Sequence, residues 1–134
     1  MKITVSTRVA ASAEKVWSLY TSADAIKQWN TASPDWHTTQ ASIDLRVGGH
    51  FSSRMEAKDG SMGFDFAGTY TEVRAPEFLA YQFGERSATV SFTALENAIE
   101  VSVCFDAETI YPVEQQQAGW QAILDNFALY VANH

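Results

Sequence analysis

The sequence predicts an α+β fold in which a seven-stranded, curved antiparallel sheet wraps a long C-terminal helix, with two short helices after the first strand. Three observations carry this. Residues 2–10 alternate polar and apolar, and residues 12–29 then switch to helical spacing. Residues 36–109 return to a period of two, interrupted by tight-turn signals. The chain ends on a helical stripe from Val113 to Val131 whose apolar side needs a partner as large as the sheet.

Each element has its own signature. In the first strand Ile3, Val5, Thr7 and Val9 share one face, and Lys2, Thr4, Ser6 and Arg8 the other. Ser12 is placed to cap the first helix, with Glu14 in the first turn where the helix dipole favours a carboxylate. Ala13, Val16, Trp17 and Tyr20 then form one helical face. Ser22 caps a second short helix that buries Ile26 and Trp29, and Pro34 closes that region. Six further strands are expected near 37–47, 50–57, 62–75, 78–84, 87–95 and 98–108. Their turns are Gly48-Gly49, Asp59-Gly60, Ala75-Pro76-Glu77, Gly84-Glu85 and Glu96-Asn97, short enough to demand antiparallel pairing. Pro112 opens the last helix, where a missing N–H costs least. Its inner stripe is Val113, Gln116, Gln117, Trp120, Ile123, Leu124, Phe127 and Val131.

Composition bounds the function. A length of 134 residues fits one domain, expected to span 1–134, and 46% hydrophobic residues supply a real core. Aromatic residues make up 13%, enough for rings to fill a core or line a cavity for a flat molecule. The net charge is −7 and the basic residues are scattered, which argues against nucleic acid and anionic membrane as partners. A single cysteine, Cys104, allows no internal disulfide and fits a reducing compartment. The first residues lack the apolar run of a signal peptide, and no segment is apolar enough to span a bilayer. A cytoplasmic protein is expected.

Sites of reaction chemistry are sparse. His37, His50 and His134 form no paired ligand spacing, so no metal and no cofactor are expected. There is no GxSxG elbow, and Gly48-Gly49 precedes a strand rather than a helix, which reads as a turn and not as a phosphate cradle. No catalytic residue is assigned; Glu72, Asp44 and the tyrosines are the only candidates for an acid or base. Asp44 and Arg46 pose a conflict. A two-residue turn at Gly48-Gly49 pairs Arg46 with Phe51, so that Asp44 and Arg46 share a face with Phe51 and Met55. Ile43, Leu45 and Val47 then lie on the opposite face. Either a bulge shifts the register, or Arg46 points inward to orient a ligand carboxylate or phenolate.

Several segments resemble one family. They are Val16-Trp17 with Thr21 and Trp29; Asp44-Leu45-Arg46-Val47-Gly48-Gly49 with Phe51; Gly68-x-Tyr70-x-Glu72-Val73 followed by Pro76-Glu77-x-Leu79; and Gly119-Trp120 with Leu124. In this order they resemble bacterial single-domain proteins related to the activator of the heat-shock chaperone ATPase. That family belongs to the START-like, polyketide-cyclase-like (SRPBCC) superfamily with the helix-grip, birch-pollen-allergen-like fold. Two caps depart from its pattern: Ala11-Ser12-Ala13 replaces a proline, and Ser22-Ala23-Asp24 an Asp-Pro-Glu-like start. The resemblance implies a cavity between sheet and last helix that holds a small hydrophobic or aromatic molecule, lipid-, polyketide- or flavonoid-like. Phe51, Met55, Phe64, Phe66, Tyr70, Tyr81, Phe83, Phe92, Trp120 and Phe127 are expected to line it, with Arg46 giving orientation. The alternatives are a cyclase- or hydrolase-like enzyme in the same cavity and a chaperone-associated interaction protein. The latter has less support, since the chain starts at its first strand with no preceding chaperone-binding segment. A homodimer is left open.

Overall fold

A computed structural model describes residues Met1–His134. The elements run β1 (Lys2–Val9), α1 (Ala13–Tyr20), α2 (Ala23–Trp29), β2 (Trp36–Ile43), β3 (His50–Ala57), β4 (Gly63–Arg74), β5 (Phe78–Phe83), β6 (Arg86–Ala94), β7 (Ile99–Asp106) and α3 (Val113–Ala132). The seven strands form one antiparallel sheet in the order β1-β7-β6-β5-β4-β3-β2. This is the helix-grip arrangement. The two edge strands are each held by a helix: α3 lies against β1 and α2 against β2, while α1 sits over β6.

Local chemistry sets the helix ends as the sequence predicts. The Ser12 hydroxyl accepts from the Lys15 N–H at 3.2 Å, and the Ser22 hydroxyl from the Ala25 N–H at 3.3 Å. Pro112 precedes the first residue of α3. The Gln116 amide then accepts from the Glu108 N–H and donates to the carbonyls of Glu108 and Tyr111, which pins the connection from β7 to α3. Gly84 opens the two-residue turn between β5 and β6 with φ of 62°, a value a Cβ makes costly.

The conflict at Asp44 and Arg46 is resolved by a longer loop and a bulge. β2 stops at Ile43 rather than continuing to residue 47, and Ile43 pairs with Phe51. Residues 44–49 leave the ladder. Their loop is closed by Gly49 N–H donating to the Arg46 carbonyl at 2.8 Å, with Gly48 at φ of 83°. It docks on β4 through Gly48 N–H to the Tyr70 carbonyl and Tyr70 N–H to the Gly49 carbonyl, at 2.8 and 2.9 Å. A bulge at Thr39 lets Thr38 oppose Met55 while Ala41 opposes Ser53, so Thr38, Ala41 and Ile43 all face the concave side. Arg46 is thereby turned outward, its side chain 71% exposed and its Nε bonded to both Asp44 carboxylate oxygens at 3.0 and 2.9 Å.

A second bulge, at Thr71, shifts the phase of β4. Phe64, Phe66 and Tyr70 face inward, but past Thr71 it is Val73, opposite Leu79, that continues the inner face. Glu72 faces out and pairs with Arg74.

Candidate functional site

The sheet's concave face and α3 enclose a cavity of about 380 Å³. Fifteen of its 20 lining residues are hydrophobic, so its wall is mainly apolar. Seven of the residues expected from sequence line it: Phe51, Met55, Phe64, Phe66, Tyr70, Tyr81 and Trp120. Four do not. Arg46 is held in the outer loop by Asp44. Phe83, Phe92 and Phe127 lie behind the wall, each under 8% exposed, and support the rings that form it.

That support is specific. Phe92 and Phe127 meet the Tyr20 ring edge-on at centroid distances of 5.4 and 5.1 Å. Trp29 closes the same cluster, 5.1 Å from Tyr20 and 4.9 Å from Phe127, and its Nε1–H donates to the Leu19 carbonyl at 3.1 Å. On the helix side, Trp120 stacks flat on Phe105 of β7 with centroids 3.9 Å apart. On the sheet side, Phe51 stands between Tyr70 and Tyr81 at 5.2 and 5.0 Å. Phe51 can lie across β4 only because its partner there is Gly68; a Cβ at that position comes within 2.8 Å of the Phe51 ring. Phe64 is 48% exposed and touches Trp36, so it stands where the cavity meets solvent.

The polar part of the wall was not anticipated in full. It comprises Tyr20, Tyr70, Tyr81, Thr21, Asn30, Ser53 and Arg86. The sequence puts Tyr20 on one face of α1 and buries Trp29 in α2; both also border the cavity. Arg86 was missed, although a signal existed. Counting back by twos from Phe92 through Val90 and Ala88 reaches Arg86, so it belongs to the inner phase of β6.

The three tyrosines share one electrostatic condition. Burial pushes the Tyr70 phenol up to about 12. Burial also raises Tyr20, with a further contribution from Tyr70, and it raises Tyr81, which feels both Tyr20 and Tyr70 and is partly offset by Arg86. No hydrogen bond from the protein contributes at any of the three. The one fully enclosed side-chain oxygen or nitrogen without a partner is Glu108 Oε1, so the tyrosine hydroxyls meet open space and not packed protein. A hydroxyl sealed in an apolar core without a partner costs about 1–3 kcal/mol, whereas one facing a cavity keeps its donor available. The tyrosines therefore stay neutral and act as donors.

Arg86 is the cavity's one charged residue. Its guanidinium lies over the Phe83 ring at 4.6 Å, donates to the Asp106 carbonyl at 3.2 Å and approaches Glu108 Oε2 at 3.9 Å. No Asp or Glu lines the cavity. Asp44 and Glu72, the carboxylates considered as acids or bases, both lie outside it. No group of three or more His, Cys, Asp or Glu gathers to hold a metal ion. No helix is long and apolar enough to cross a membrane.

Comparison with known proteins agrees with this geometry. A search of functionally curated proteins finds no significant match. Among solved structures, the AHSA1-like protein from Aeromonas hydrophila is 47% identical and superposes with a TM-score of 0.93, covering 99% of this chain and 93% of its own. Chr148 from Cytophaga hutchinsonii is 43% identical with a TM-score of 0.86, covering 98% and 92%. Protein NE0264 from Nitrosomonas europaea keeps the fold at 18% identity, with a TM-score of 0.85 over 99% of this chain and 95% of its own. The family model described as Activator of Hsp90 ATPase homolog 1-like protein matches residues 10–132, and the chain belongs to that family.

Proposed function

We propose that this protein binds a small, mainly apolar or aromatic molecule in the cavity between the sheet and α3. The observation that carries the reading is the cavity itself. Elsewhere the core is filled to the point where Val16, Val90, Val101, Phe105 and Phe127 are wholly inaccessible, yet about 380 Å³ stays open beside Trp120. Folded interiors are close-packed, and an apolar void of this size forfeits contacts its lining could have made. A ligand that fills it recovers them. The wall is built of rings braced from behind, so the site is preformed and little ordering cost falls on binding. An acid–base enzyme has less support in the same cavity, because its ionisable lining consists of three tyrosines held neutral and one arginine.

Gly119 provides the test. It lines the cavity, and a Cβ there meets no atom within 4 Å. Gly119→Leu therefore starts a side chain at the cavity wall with its Cβ free of packed atoms. Amide NMR titration with neutral two-ring aromatics should give saturable shifts at Tyr70, Tyr81 and Trp120 in the wild type, and the plugged variant should show none. Equal shifts in both proteins, or no shifts in either, would rule the site out.

A further inference from the structure

Resting on the apolar-binding reading, the identity of the polar wall narrows the ligand class. We infer that the cavity selects a flat apolar molecule bearing a carboxylate, whose two oxygens accept hydrogen bonds from the hydroxyls of Tyr20, Tyr70 and Tyr81 and face the guanidinium of Arg86.

Four observations support this. The three tyrosines line one cavity, and Tyr70 and Tyr81 are direct cross-strand partners, so their side chains leave the sheet side by side. Tyr20 reaches the same space from α1, and the three are close enough for charge on one to be felt by the others. Each phenol has a donor that no protein group uses, and each stays protonated well past neutral pH. The wall thus offers donors in excess, and a carboxylate, an acceptor with about four lone-pair sites, matches such a set better than a single carbonyl does.

Charge points the same way. Arg86 carries the cavity's one formal charge, and its five N–H donors exceed its contacts with Asp106 and Glu108. With no Asp or Glu in the wall, a cationic ligand finds no opposite formal charge there, and an anionic oxygen is matched by a charge-assisted donor. The orienting role expected of Arg46 thus passes to a residue two strands along the sheet from β4.

The test compares two probes of one shape, 2-naphthoate and 2-methylnaphthalene, by NMR titration near neutral pH. Wild-type protein should bind the carboxylate about tenfold or more tightly than the hydrocarbon. Tyr81→Phe and Arg86→Gln should each remove most of that preference, weakening the carboxylate far more than the hydrocarbon. Arg86→Lys retains the charge should the glutamine variant fail to fold, and it should keep a reduced preference. If the hydrocarbon binds as tightly as the carboxylate, or if Tyr81→Phe and the arginine variants leave the preference intact, the inference is overturned while the apolar-binding reading stands. If neither probe binds at the cavity, both are overturned together.

Discussion

The two halves of the sheet face the interior with different chemistry. β7 presents Ile99, Val101, Val103 and Phe105, none more than 5% exposed, and β1 adds Ile3, Val5 and Val9 at a similar level. These side chains, mostly branched aliphatics, interlock closely, and of the seven only Val103 borders the cavity. β3 and β4 present Phe51, Ser53, Phe66 and Tyr70, with the Phe51 and Phe66 rings only half-buried. A rigid ring fixed at one end and braced by another ring cannot fold down to fill the gap beside it. The same fold therefore holds a closed half and an open half, and the difference lies in side-chain shape rather than in strand pairing. The comparison implies that stability is concentrated on one side and recognition on the other.

The largest effect that tests this is truncation of one ring on each side. Phe105→Ala removes a wholly buried ring under Trp120 and should cost about 3–5 kcal/mol. Phe66→Ala removes a half-buried ring that already borders the cavity, so it should cost about 1–2 kcal/mol, because fewer contacts are lost. Urea denaturation of both variants measures the gap. Equal losses would mean that the halves are not energetically distinct.

Alkaline unfolding comes next. Tyr20, Tyr70 and Tyr81 titrate above their ordinary value of 10 in the folded protein, first of all because burial disfavours the phenolate. The unfolded chain loses those protons earlier. The stabilisation is complete below about pH 10 and is lost as pH rises toward and past about 12, where Tyr70 titrates. Denaturant midpoints should fall steeply over that range, and Tyr70→Phe should flatten the slope. A slope unchanged by Tyr70→Phe would show that its hydroxyl is solvated rather than shielded.

The contrast between halves also explains what could be read in advance. The closed half was legible because strict alternation in Ile99–Asp106 and in Lys2–Val9 fixes which residues are inside. The helix caps at Ser12 and Ser22 were legible for a similar reason, since capping is a local matter. The open half was harder. Bulges at Thr39 and Thr71 each shift the phase by one residue, and nothing in the strand pattern marks them. Arg46 falls among the expected lining residues for another reason: residues 44–49 form a loop and not the two-residue turn that Gly48-Gly49 suggests. Phe83, Phe92 and Phe127 were correctly read as inward and apolar, but sequence does not tell a ring in the wall from a ring behind it. Arg86 was overlooked for a different reason. A charged residue beside a turn is usually solvated, and only its period-two relation to Phe92 argued otherwise.

A smaller effect probes the cavity's cost to the fold. Gly119 occupies the interior of α3, where glycine is less favourable than alanine by about 0.5–1 kcal/mol. Since a Cβ there meets nothing, Gly119→Ala should raise stability by about that amount while narrowing the space available to ligand. A rise in thermal midpoint together with weaker binding of the two-ring probes supports a position held small for recognition. A rise with binding unchanged would place the ligand elsewhere along the cavity.

The smallest expected effect lies at the acid end and on the closed half. Asp106 ends β7, where it joins β1 to β6: Lys2 donates to one oxygen at 2.6 Å, and the Ser87 N–H and hydroxyl donate to the other at 2.8 and 3.1 Å. Lys2 first, and then Ser87, lower its carboxyl to about 2. A carboxyl depressed in the folded state adds stability above its ordinary value near 3.8, and that stability fades as pH falls through about 2. Asp106 is half-buried but its Lys2 partner is exposed, so the ion pair is screened by solvent and salt and the contribution is small. Asp106→Asn should leave neutral-pH folding nearly intact and reduce the acid-side slope between about pH 4 and 2, more clearly at low salt. The alkaline limit is then set by phenols facing the cavity and the acid limit by a clasp on the packed edge. A pH–stability profile in which Asp106→Asn moves only the acid limb and Tyr70→Phe only the alkaline limb would separate the two halves thermodynamically; either variant moving both limbs would show that they unfold through one shared electrostatic network.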